Sequence, residues 1–63
     1  MDGTKRANIK SGMNVAIVLK EDQSSGRLTH GIVRDILTSS ASHPHGIKVR
    51  LMSREVGRVK EIY

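Results

Sequence analysis

The chain has no cysteine, tryptophan or phenylalanine, and its one tyrosine is residue 63. Without cysteine there is no disulfide framework and no thiolate metal site. That usage accords with a reducing compartment. Without large aromatics the core has to be aliphatic. The candidates are Val15, Ile17, Leu19, Leu28, Val33, Ile36, Ile47, Val49, Leu51, Val59 and Ile62. The same lack removes the stacking platform on which proteins usually grip single-stranded nucleic acid base by base. Long apolar runs are missing too. The longest, Val15 to Leu19, is far below the ~20 residues that span a bilayer. The first residues lack the apolar core of a secretion signal, and Asp2 stands where such a signal carries positive charge. The expectation is a cytoplasmic protein with no membrane partner.

What is abundant is positive charge. Eleven Lys and Arg face six Asp and Glu, a net charge of +5 on 63 residues. So short a chain makes one domain, burying only about 60% of the surface its unfolded form exposes. On so small a surface, that charge favours a polyanionic partner, because clustered cations release counterions from phosphates.

Residues 1–11 read as a basic arm carrying Lys5, Arg6 and Lys10, with Ile9 as an anchor. Residues 12–63 read as a single β domain. Val15 to Leu19 is a β-branched run whose continuity predicts burial on both faces. Lys20 to Arg27 is a polar turn containing Gly26, and Leu28 to Leu37 is a second strand. Gly31 inside that strand predicts a bulge or bend. Thr38 to His45 is a loop holding the only proline, Pro44. Ile47 to Leu51 alternates apolar and basic residues, as a half-buried strand does. Val56 to Ile62 completes the set. No stretch carries a helical apolar period. The fold class expected is all-β, a small SH3-like (KOW- or OB-like) barrel of four to five short antiparallel strands.

One internal echo stands out. Gly31-Ile-Val-Arg-Asp-Ile-Leu37 and Gly57-Arg-Val-Lys-Glu-Ile-Tyr63 share the pattern Gly-x-Val-basic-acidic-Ile-apolar. Seven residues are too few for a stacking repeat, so two similarly bent strands are expected.

If the last two strands form a hairpin with Val49 opposite Val59, Lys48 faces Lys60 and Arg50 faces Arg58 on the outer surface. Like charges held opposite one another call for an anion, so these four residues form the candidate nucleic-acid-binding patch. Arg34, Lys5, Arg6 and Lys10 are expected to add phosphate contacts. The bland alternative is a solvated face moderated by Glu55 or Glu61.

Catalysis is not expected. Ser24, Ser25, Ser39, Ser40 and Ser42 sit in loops without an acid–base partner in any recognisable motif. His43-Pro44-His45 and His30 match no standard metal spacing, so neither metal nor other cofactor is expected, although His43 or His45 could add charge at acidic pH.

The string Val-Leu-Lys-Glu-Asp-Gln-Ser-Ser-Gly-Arg-Leu-Thr-His-Gly-Ile-Val, followed by Ile-Leu-Thr, His-Pro-His-Gly-Ile-Lys-Val-Arg-Leu and Val-Gly-Arg-Val, resembles the YwbE-type family of short prokaryotic proteins. The likeness runs from about Ile9 to Ile62 and implies a family of unknown function. Arg54 departs from it, standing at a turn position where glycine is expected. A looser resemblance is to KOW-type barrels, through Gly12-Met-Asn-Val15-Ala-Ile17 and Gly31-Ile-Val33. It implies partners such as RNA or a ribosomal surface. The leading expectation is thus an RNA- or ribosome-associated binding module. The alternative is an adaptor that docks an acidic protein or adds a strand at a sheet edge.

Overall fold

The structure, a computed structural model, describes residues 3–63, so the first two residues of the basic arm lie outside it. It contains strands β1 (Asn14–Leu19), β2 (Thr29–Ile36), β3 (Lys48–Leu51) and β4 (Val56–Ile62), with single 3-10 turns at Arg6–Asn8 and Lys20–Asp22. The strands run antiparallel in the order β1-β2-β3-β4, and β4 returns to pair with β1, closing a barrel. The all-β expectation holds, with four strands.

The interior is aliphatic, as the lack of aromatics requires. Ile9, Val15, Ile17, Val33, Ile47, Val49, Leu51, Val59 and Ile62 form one buried cluster, with Met13, Leu19 and Ile36 packed partly against it. Leu28 is not part of it and is 38% exposed, because it ends the connection before β2 and lies on the outer surface. β1 is buried on both faces as its continuity predicts. Val15 and Ile17 point into the barrel, while Ala16 and Val18 face outward yet are 0% and 5% exposed.

Both echoed segments contain a β-bulge. In the β1–β4 ladder Ile17 pairs with Val59 and Ala16 with Glu61, so Lys60 is the extra residue. In the β2–β3 ladder Val33 pairs with Leu51 and Asp35 with Arg50, so Arg34 is the extra residue. A bulge bends and twists its strand, which is how so small a sheet curls far enough to close. The bend in β2 thus falls at Arg34 rather than at Gly31. Gly31 serves a different need, since a Cβ there would lie 2.6 Å from Leu51 Cδ1.

The β3–β4 register differs from the expected one by two residues. Lys48 pairs with Arg58, Val49 with Gly57 and Arg50 with Val56. The turn is the cause. The Leu51 N–H donates to Glu55 O and the Arg54 N–H to Leu51 O, leaving only Met52, Ser53 and Arg54 in the loop. Such a tight loop puts its last residue in the left-handed region, and Arg54 has φ +76°. A shift of two preserves which face each side chain occupies.

The described part of the basic arm is laid against the barrel. The Ile47 N–H donates to Gly3 O, the His43 N–H to Thr4 O and the Arg6 N–H to Ala41 O, while Lys5 and Ser42 form an isolated bridge. Ile9 then enters the core at 2% exposure. At Gly46, with φ +103°, a Cβ would strike the Val59 carbonyl, so the loop reaches β4 only as glycine.

Candidate nucleic-acid interface

Arg58 is the centre of the basic surface. Alternation along β4 sends Gly57 and Val59 inward and Arg58 outward. Its cross-strand neighbours are Lys48 on β3 and Val18 on β1, so Lys48, Arg58 and Val18 form one row across three strands of the outer face. Directly opposed residues stand about 4.5–5.5 Å apart at Cβ, close enough for two cations to repel. The Arg58 guanidinium donates through Nη1 to Gly46 O at 3.1 Å. Lys60, pushed outward by the bulge, donates from Nζ to His45 O at 3.0 Å. Backbone carbonyls of the His-Pro-His-Gly loop thus orient both cations without neutralising them.

The 20–28 connection arches over the outer face of β1 and leaves a groove beside β4. One hollow of ≈ 580 Å³ is lined by Val18, Gln23, Gly26, Leu28, His45, Arg58 and Lys60. A second, of ≈ 460 Å³, shares Val18, Gln23 and Arg58 with it and adds Lys20, Lys48, Val56 and Gly57. Neither lining contains a carboxylate. The carboxylates Glu21, Asp22 and Glu55 line hollows around Leu19 instead. Lys20 and Arg27 accompany these carboxylates, and Lys20 lines both kinds of hollow.

Of the residues expected from sequence, Lys48, Arg58 and Lys60 come together. Arg50 does not join them. It faces Val56, and its guanidinium lies 3.9 Å from the Asp35 carboxylate, which Arg34 also approaches at 3.8 Å. The carboxylate beside Arg50 and Arg34 is that of Asp35. Arg6 donates from Nε to Thr38 O at 3.0 Å, and none of Lys5, Arg6 or Lys10 lines the groove. Sequence reasoning missed Lys20 and Gln23, because a turn composition says nothing about which strand the turn folds over.

The two loop histidines are coupled. The His45 N–H donates to His43 Nδ1 at 3.2 Å, and their rings are 5.8 Å apart. His43 titrates below its ordinary value of 6.5, first because it is partly desolvated and then because Arg58 and His45 add positive potential. His30 lies elsewhere, its Nε2 hydrogen-bonded to the Tyr63 hydroxyl at 3.0 Å across β1. Among the described residues, no three His, Asp or Glu side chains gather to hold a metal ion. No helix among them is long and apolar enough to cross a membrane.

The sequence itself has a match among known proteins. The family described as "Uncharacterized conserved protein (DUF2196)" matches residues 2–62. The chain belongs to this family. A relative named "Uncharacterized protein YwbE", from Bacillus subtilis (strain 168), is 55% identical over 62 residues, covering 98% of this chain and 95% of its own. No solved structure matches. For this member of the DUF2196 family, the chemistry of the groove is therefore the guide to function.

Proposed function

We propose that this protein is a small cytoplasmic RNA- or ribosome-associated binding module, a binder rather than an enzyme, which holds phosphates in the groove centred on Arg58. The observation that carries the reading is the direct opposition of Lys48 and Arg58 in a groove whose lining has no carboxylate. Like charges opposed across strands cost stability, and a polyanion removes that cost. Lys60 and Lys20 extend the track to either side. Arg34, Arg50, Lys5, Arg6 and Lys10 lie off it and would meet more distant phosphates or none.

An acidic protein partner is the rival. Its strand-addition form has little support, since each of the four strands already has two neighbours. Fluorescence anisotropy of a labelled structured RNA tests the choice. The wild type should bind at low salt and weaken as salt rises, by about 0.7–0.9 units of log K per unit of log salt for each phosphate held. The Lys48→Glu, Lys60→Glu double variant, shown by circular dichroism to be folded, should lose both the affinity and about two phosphates' worth of slope. Wild type that fails to bind at low salt would reject structured RNA as the ligand and turn the search to an acidic protein partner.

A further inference from the structure

We propose that the larger hollow of the groove takes one unpaired nucleotide of a single-stranded RNA, its phosphate on Arg58 and Lys60 and its base against Val18 and Leu28. This rests on the phosphate-binding reading above and narrows it to a substrate class.

The two walls of the hollow differ in kind. One is cationic, formed by Arg58 and by Lys60, which donates to the carbonyl of His45. The other is Gln23, Gly26 and Leu28 of the connection, and the floor is Val18. A site built only for phosphate has no use for an apolar floor. Val18 points away from the core and lines the hollow at 5% exposure, and Leu28 lines the same hollow at 38%, so the apolar surface open to a base is mainly that of Leu28. The volume, ≈ 580 Å³, falls within the ~300–1,000 Å³ of small-molecule sites and suits a nucleotide. Gln23 offers an amide donor and acceptor at the rim, the pair that a base edge can use.

Duplex RNA cannot make these contacts. Its bases are stacked and paired, and it presents phosphates and 2′-hydroxyls to a protein surface. An unpaired nucleotide brings phosphate and base together, matching the two-sided hollow. The lack of aromatic residues, which argues against base stacking on an open sheet, does not count against a base laid in a cleft between a strand and a loop.

The test compares three labelled RNAs by anisotropy at one salt concentration: a single-stranded octamer, the same octamer with abasic sites, and a hairpin of matched charge. The octamer should bind roughly tenfold tighter than either of the others, the factor expected from covering a small apolar area. The uncharged Leu28→Ser variant removes the apolar contact at an exposed position without adding charge, and its melting curve would report its fold. Its octamer affinity should fall to the level of the hairpin, abolishing the preference. If abasic and intact octamers bind equally, or the hairpin binds best, the nucleotide site is overturned while salt-dependent phosphate binding stands. If none of the three binds, both readings fall.

Discussion

Lys48 and Arg58 are each ordinary surface cations, but their pairing is not ordinary. Charge optimisation for stability alone would set a carboxylate opposite Arg58, as Asp35 is set opposite Arg50. Lys48→Glu supplies that carboxylate. It should stabilise the fold by about 0.5–1 kcal/mol, a rise in Tm of about 2–8 °C, while RNA affinity falls. Thermal melting and anisotropy on the same sample check both halves, and an unchanged Tm with unchanged binding would reduce the pair to a solvated face. His43 works at the same scale. Its titration is depressed in the fold, first by desolvation and then by Arg58 and His45. Its contribution is therefore intact above the unfolded value of 6.5 and lost as pH falls through the lower folded one. Protonation at Nδ1 also forfeits the bond from the His45 N–H. Melting temperature should decline on acidification below about pH 6.5, and His43→Gln should flatten that decline.

At the level of elements, the hairpin between β3 and β4 carries a testable strain. Arg54 occupies the left-handed position that a three-residue loop reserves for glycine. Arg54→Gly should stabilise the domain by about 0.5–1 kcal/mol, read as a higher urea midpoint at constant m-value. The same turn shows what the sequence does and does not disclose. The family resemblance implies glycine at residue 54, but loop length sets register, and no residue type states the loop length. The faces of Lys48 and Arg58 survived because a two-residue shift keeps parity. The bulges were legible in principle. Val33 to Ile36 and Val59 to Ile62 are each three apart, a spacing that strict alternation cannot place on one face. The resulting pair of consecutive outward residues, Arg34-Asp35 and Lys60-Glu61, is what the echoed motif encodes. The groove was not legible, because it depends on the 20–28 connection folding over Val18, a tertiary fact without a local signature.

For the molecule as a whole, the core is small enough that a single contribution from outside the strands counts. Ile9 lies ahead of β1 yet is 2% exposed within the barrel cluster. Ile9→Ala should cost about 2–5 kcal/mol, against the ~3–5 kcal/mol that a domain this size holds in reserve. Circular dichroism at 37 °C should find it largely unfolded, and a cooperative melt close to wild type would show that the arm is dispensable. Closure of the barrel reaches further. Val15 finds its partner in Ile62, so the first strand completes its ladder only with the last. A chain still being synthesised has no such partner until its final strand emerges, and β1 stays half-paired until then. The barrel can therefore close only after translation of β4, and a nascent chain that stalls before Ile62 presents a strand of Val and Ile to any chaperone or neighbouring chain within reach.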